Sequence, residues 1–135
     1  MKLSMRAYRG EDDFWKIRCF LRRVFQLNDM RELSWQAYRF DYWRWHGIAN
    51  LAHGRLEENV FLWETEAGEI GAVLNSESPG QAFLQVNPCL REVGLEEEMV
   101  AIAEERLAVS DQGDQRRLVV WADEQDNLRQ GVLIS

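Results

Sequence analysis

Residues that build metal centres and disulfide frameworks are scarce in this sequence. It contains two cysteines, Cys19 and Cys89, and two histidines, His46 and His53. Their spacing matches no zinc-binding pattern, and two cysteines cannot build the dense framework of a small secreted protein. The sequence also lacks a recognisable Ser-His-Asp or Cys-His set. We therefore expect no bound metal, no disulfide and a reducing, cytoplasmic environment.

Long apolar runs and an excess of basic charge are also missing. Residues 1–13 have no apolar signal-peptide core, and no other run approaches the roughly 20 residues that span a membrane. The net charge of −7 argues against nucleic-acid binding, which needs a clustered basic surface. The chain has no internal repeat or low-complexity linker. Its 135 residues, 46% of them hydrophobic, fit one globular domain over residues 1–135.

Aromatic residues, in contrast, are abundant, with six tryptophans in the chain. Ser34 is expected to open a helix in which Trp35, Tyr38, Tyr42 and Trp45 recur three or four residues apart. Such a stripe is typical of helix packing, and it would also suit the wall of a substrate cleft. The sequence leaves both interpretations open.

The apolar periodicity predicts alternating strands and helices along the chain. The expected strands are 3–7, 60–65, 69–74, 82–86 and 117–121. The expected helices are 14–26, one that Ser34 opens, 95–109 and one that Asp126 opens. The three middle strands should pair antiparallel, and the apolar run in the last strand indicates coverage on both faces. This order predicts an α+β fold, an α/β sandwich with helices packed on a central sheet.

The segment 84–99 contains the strongest functional signal. Pro88 ends the strand before it, because proline offers no N–H to a ladder. Arg91-x-x-Gly94-Leu95 then leads into the helix. The first amides of a helix lack internal partners and the helix dipole favours an anion there, so this connection is suited to binding phosphate. An ordinary strand–turn–helix connection would show the same pattern.

Val86-x-Pro88 followed by Arg91-x-x-Gly94 resembles the pyrophosphate loop of the GNAT superfamily of acyl-CoA-dependent N-acyltransferases. In that family a strand ending in Val-x-Pro precedes Arg/Gln-x-x-Gly-x-Gly/Ala and a helix. The order of elements is also similar to the GNAT fold through its fifth strand. Asn127, just after that strand, resembles the asparagine that opens the fourth helix in many members.

The resemblance implies a GNAT-like, mostly antiparallel central sheet with helices on both faces. It implies an N-acetyltransferase that moves an acetyl group from acetyl-CoA, its co-substrate, to a primary amine. The acceptor, a small molecule or a peptide, leaves no signature in the sequence. Cofactor contacts are implied at Val86, Arg91, Glu92, Val93, Gly94, Leu95, Glu96 and Asn127.

The implied reaction needs a base for the amine and a polarised thioester carbonyl. A backbone N–H of the fourth strand near Val86 is the candidate donor to the carbonyl. Glu64, at the end of the second strand, is the candidate catalytic base. It also fits a solvated charge at a strand end, so its role stays open.

Two features depart from the family pattern. Glu96 occupies the position of a small residue, where a carboxylate would repel a pyrophosphate unless it turned away. Arg91 could offset this repulsion by pairing with the phosphates, and Glu96 would also stabilise the first turn of its helix.

The second departure is at the end of the chain. The family continues through two further strands, and many members have a tyrosine acid late in the fourth helix, so we expect a C-terminally truncated sheet. The fifth strand would then be covered by a second copy of the chain or by a folded-back segment. A degenerate, non-catalytic acyl-CoA-binding or interaction module is therefore the alternative function.

Overall fold

A computed structural model of the protein describes residues 3–28, 35–47, 55–110, 116–122 and 126–134. The strands in these ranges are β1 Ser4–Ala7, β2 Val60–Glu64, β3 Ile70–Asn75, β4 Gln81–Val86, β5 Val109–Ser110, β6 Arg116–Arg117 and β7 Val119–Val120. The α-helices are α1 Glu11–Leu27, α2 Ala37–Tyr42, α3 Leu56–Asn59, α4 Val93–Arg106 and α5 Asn127–Ile134. A π-helix, Trp43–Gly47, continues α2, and a 3-10 turn, Pro88–Leu90, precedes α4.

The central sheet confirms the expected α+β architecture. In the described part of the chain it has five strands in the order β1-β2-β3-β4-β7. The first three pairings are antiparallel, and β4 and β7 pair in parallel. Gly68, with a φ of 83°, closes the β2–β3 hairpin, where Thr65 N–H donates to Glu69 O at 2.8 Å. The predicted antiparallel three-strand unit is thus correct.

Alternation along the strands divides the core into two layers. Val60 and Leu62 of β2 pack toward α1 and α2, while Phe61 and Trp63 pack toward α4. The amphipathic pattern predicted for 14–26 is confirmed in α1, which starts three residues earlier, at Glu11. The helix predicted for 95–109 is present as α4, but it begins two residues earlier and ends three residues earlier.

The aromatic stripe contains both core residues and exposed residues. Ser34 lies outside the described residues, so the predicted start of the second helix cannot be compared. The core-facing members of the stripe and its neighbours are buried, namely Trp35, Phe40 and Trp43. The outward-facing members are exposed, namely Tyr38, Tyr42 and Trp45.

The prediction for residues 117–121 was wrong in two respects. Arg117 belongs to β6, which pairs with β5, and only Val119 and Val120 form β7 beside β4. Val119 is 42% exposed and Trp121 is 53% exposed, so the segment is not covered on both faces. A continuous apolar run does not show whether its strand is central or at an edge, because that depends on which segments lie alongside.

A buried chain of amide groups joins α2 to the sheet. The side chain of Gln85 accepts from Trp35 N–H at 2.6 Å and donates through Nε2 to Asn75 Oδ1 at 3.1 Å. A backbone N–H can only donate, so the atom of Gln85 that faces Trp35 N–H must be the oxygen. The Gln85 NH2 group then faces Asn75, which must accept. Gln85 therefore holds the start of α2 against β3 and β4.

Candidate functional site

The connection between β4 and α4 leaves a helix start with free backbone donors. Asn87 N–H donates to Gly71 O at 3.0 Å, and Asn87 Oδ1 accepts from Cys89 N–H at 2.9 Å, which tightens the turn around Pro88. The first backbone bond of α4 runs from Glu96 N–H to Glu92 O at 3.2 Å. The amides of residues 93–95 therefore lack intrahelical partners, and no side chain caps this helix.

Gly94 lies in the first turn of α4, beside an open groove of about 440 Å³. A Cβ added at Gly94 would meet only Glu92 Oε1, at 4.0 Å, and Gly94 is not among the described glycines with positive φ. Neither packing nor backbone conformation requires glycine here, although glycine costs a helix up to about 1 kcal/mol relative to alanine. The missing side chain leaves open space at the start of α4.

The second half of β4 offers an open edge beside this helix start. In the described residues β7 pairs with β4 only at Gln81 and Ala82. Ala82 O accepts from Trp121 N–H at 3.4 Å, so it faces β7. Because backbone groups alternate along a strand, the N–H groups of Leu84 and Val86 face the same way, beyond the end of β7. They are donors of the kind that can stabilise a developing oxyanion.

Four charged side chains form a compact network just beneath the loop. Glu96 accepts from Arg91 Nε at 2.6 Å, from Arg91 Nη2 at 3.0 Å and from Arg129 Nε at 2.8 Å. Asp126 Oδ1 accepts from Arg91 Nη2 at 2.7 Å and from Arg129 N–H at 3.1 Å. The Glu96 side chain is 0% exposed. The network ties the loop, the first turn of α4 and the start of α5 together.

The charges in this network balance. Two arginines face two carboxylates, so its formal charge is zero. Burial disfavours the charged forms of both Arg91 and Asp126. This effect is outweighed at Arg91 by its hydrogen bonds to Glu96 and Asp126, and at Asp126 by the hydrogen bonds from Arg91 and from Arg129 N–H. As a result, the pKa of Arg91 is raised and the pKa of Asp126 is lowered from their ordinary values. Both groups stay charged near neutral pH.

The groove itself is acidic at its margin. Glu92 and Glu98 line it together with Arg91, whose guanidinium is engaged by the network. Glu98 also accepts from the indole N–H of Trp63 at 3.2 Å. An anion at the start of α4 would therefore meet helix amides and a neutralised network, with carboxylates nearby.

The predicted site residues fall into two separate places. Val86 and residues 91–96 lie together at the end of β4 and the start of α4, and Asn127 is the exposed first residue of α5. Glu64 lies two strands away from β4, roughly 10 Å across the sheet. It follows a register shift in β2, and its carboxylate accepts from Arg6 Nε at 3.0 Å. Arg6 also binds Asp13 of α1 through two hydrogen bonds of 2.7 Å.

In the described ranges, no group of histidine, cysteine, aspartate and glutamate side chains could hold a metal ion. No helix in those ranges is long and apolar enough to cross a membrane. Both cysteines are free and exposed, and Cys89 lines the groove.

Comparison with solved structures identifies the fold. A GCN5-related N-acetyltransferase from Sphaerobacter thermophilus matches with a TM-score of 0.55 and 22% sequence identity, over 78% of this chain and 32% of its own. A protein assigned as a phosphinothricin N-acetyltransferase matches with a TM-score of 0.61 and 12% identity, over 98% of this chain and 81% of its own. The chain has a GNAT-like fold. It spans about a third of the length of the Sphaerobacter protein.

The resemblance found in the loop sequence is thus confirmed at the level of the GNAT-like fold. No family model matches the sequence, and no curated protein matches it. At these identities the two structures establish the architecture alone.

The sequence did not reveal two residues of the site. Asp126 was recognisable as the residue before a helix, and it does cap α5 by accepting from Arg129 N–H. Its contact with Arg91, 35 residues away, and the contact between Arg129 and Glu96, 33 residues away, have no local signal. An acidic residue in the small-residue position was the one available hint that a basic partner was needed.

Proposed function

We propose that the chain is an N-acetyltransferase that moves an acetyl group from acetyl-CoA to a primary amine. The GNAT-like fold supports this reaction class. The proposal depends most on Gly94, which lies in the first turn of α4 and faces open space. No side chain caps the free backbone amides of this turn. Such a start suits a pyrophosphate, because both the free N–H groups and the helix dipole favour an anion.

The residues of the loop fit the pyrophosphate of acetyl-CoA in shape more than in charge. The amides of residues 93–95 would donate to it, Gly94 would allow close approach, and Arg91 and Asn127 would lie at its margin. Because Arg91 already binds two carboxylates and the groove is acidic, we expect weak binding. Acetyl-CoA, when bound, supplies an acetyl group activated as a thioester.

The chemistry of the chain's own residues centres on the open edge of β4. The N–H of Val86 or Leu84 would donate to the thioester carbonyl and stabilise charge that develops on its oxygen. The amine must lose a proton, and Glu64 is the candidate base in this proposal. Its distance from β4 means that it would act through intervening water. The exposed aromatic side chains of α2 and the π-helix would form part of the acceptor wall.

A second function, a non-catalytic acyl-CoA-binding or interaction module, is favoured by one observation. Arg91, the cation of the loop, is engaged by Glu96 and Asp126. A chain whose loop serves to hold α5 in place would need no catalytic base. It would bind CoA without transferring acetyl groups, or it would bind no CoA.

Calorimetry with CoA and acetyl-CoA, followed by an assay of thiol release with a panel of amines, separates these functions. Saturable binding with amine-dependent thiol release supports the enzyme. Binding without release for every amine supports the module. If wild-type protein binds neither compound at millimolar concentration, the cofactor proposal is wrong.

Two further proposals concern the setting of the protein. We propose that a second copy of the chain covers the outer edge of β7, where Val119 and Trp121 leave apolar surface exposed. We also propose a cytoplasmic location, because two free, exposed thiols suit a reducing compartment.

A further inference from the structure

We propose that Arg129 is a positioning residue that makes the loop usable for anions by neutralising Glu96 and holding its carboxylate away from the free amides of α4. The inference rests on the proposed function, since the anion is taken to be the pyrophosphate of CoA. It assigns to α5 a role in cofactor binding that no residue of the loop motif indicates.

The first step is the position of Glu96. Its carboxylate is fully buried and lies in the first turn of α4, within one helical turn of the amides of residues 93–95. A carboxylate there could cap those amides itself or repel an incoming phosphate. It does neither by direct contact, because α4 has no side-chain cap and both Glu96 oxygens accept from arginines instead.

The second step is which carboxylates each of the two arginines binds. Arg91 also binds Asp126, so its single charge is shared between two carboxylates. The Arg129 side chain is 6% exposed, and its Nε approaches Glu96 at 2.8 Å and Asp126 at 3.9 Å. Without Arg129 the network would have a formal charge of −1, with the excess charge one turn from the anion site.

The third step is the size of the effect. At an effective dielectric constant of about 20, a unit charge about 8 Å from an anion changes its binding by roughly 30-fold. Salt at about 0.15 M screens part of this, which leaves an effect of roughly tenfold. The change has opposite signs for loss of Arg129 and loss of Glu96, and it cancels when both charges are removed.

The test is a charge series of four proteins titrated with CoA by calorimetry: wild type, Arg129→Gln, Glu96→Gln and the double variant. We expect Arg129→Gln to bind CoA roughly tenfold more weakly and Glu96→Gln roughly tenfold more tightly. The double variant should return to within about threefold of wild type by the same balance of charge. Arg106→Gln, at the far end of α4, is the matched control for loss of one arginine and should leave CoA binding unchanged.

A purely structural role for Arg129 predicts a different pattern. If Arg129 only anchored α5, removing Glu96 as well would not restore binding, and the double variant would stay as weak as Arg129→Gln. That result would overturn the inference, as would equal binding by Arg129→Gln and Arg106→Gln. If Arg129→Gln does not fold, the comparison is between Glu96→Gln and the double variant, where the double variant should bind roughly tenfold more weakly.

Failure of the proposed function has its own signature. If none of the five proteins binds CoA or inorganic pyrophosphate, the cofactor proposal fails and this inference fails with it. If wild type binds CoA but the charge series is flat, only the role of Arg129 is wrong.

Discussion

Replacing Gly94 with alanine should stabilise the protein and weaken its binding of CoA at the same time. In the structure a Cβ at this position meets no atom closer than Glu92 Oε1 at 4.0 Å, and the backbone does not need a positive φ. Alanine in a helix is favoured over glycine by roughly 0.5–1 kcal/mol, so the free energy of unfolding should rise by about that amount. For a chain of this length the melting temperature should rise by about 2–5 °C.

The loss of binding follows from the same added methyl group. A pyrophosphate that accepts from the amides of residues 93–95 would approach the Gly94 backbone closely, and a Cβ would hold it away. A charge-assisted hydrogen bond contributes about 1.5–3 kcal/mol, so the loss of one such contact should raise the Kd for CoA by roughly 10- to 100-fold.

Gly131→Ala provides a matched control for this experiment. Gly131 also lies in a helix, α5, with no atom within 4 Å of an added Cβ. It should therefore show a similar rise in unfolding free energy with unchanged CoA affinity. Thermal unfolding and calorimetry on both variants give the two readouts. If Gly94→Ala binds CoA as tightly as Gly131→Ala, the glycine does not serve a ligand and the loop assignment is wrong.

Four other predictions can be checked separately. The hydrogen bond from Arg6 lowers the pKa of Asp13, so the pair stabilises the fold above about pH 4 and this stability is lost as the pH falls. Asp13→Asn should therefore reduce the fall in unfolding free energy that the wild type shows below about pH 4. An unchanged fall would contradict this prediction. Glu64→Gln should lower kcat/KM by less than about tenfold if the base acts through water, whereas a base in contact with the amine would cost about 100-fold or more. Alkylation of Cys89, in a variant without the other cysteine, should block CoA binding, and full binding after complete alkylation would place the cofactor elsewhere. Sedimentation at low micromolar concentration should show a dimer that Trp121→Ser weakens; a strictly monomeric species with rapid amide exchange along β7 would contradict coverage of that strand.

Local patterns were sufficient for most of the fold. The apolar spacing of α1 and the alternation in β2, β3 and β4 depend only on neighbouring residues, so these elements could be predicted within a few residues. The early start of α4 was missed because Gly94 suggested a loop, whereas Glu92 is already the N-terminal cap. β5 and β6, two residues each, are too short for any periodicity to indicate them.

In the candidate site, the contiguous loop could be predicted from the sequence, whereas contacts between distant residues could not. The loop motif is contiguous, so residues 91–96 could be identified together. Arg129, the distant partner of Glu96, could not be identified, since it reaches Glu96 only after α5 packs beside α4. The separation of Glu64 from the loop could not be predicted either. The number of strands between two residues depends on the order of strands in the sheet, not on their distance in the sequence.

The hydrogen bonds of Gln85 restrict which residues evolution can accept at positions 75 and 85. Its side chain must accept at one end and donate at the other, in a fixed order, between Trp35 N–H and Asn75 Oδ1. Glutamate at this position would bring a buried negative charge and could pair with Asn75 only if that amide turned its Nδ2 toward the carboxylate, and leucine would leave Trp35 N–H and Asn75 Oδ1 without partners. Evolution can therefore alter residues 75 and 85 together more readily than either alone. In an alignment of relatives, these two positions should vary as a pair while the exposed residues of the same strands vary independently.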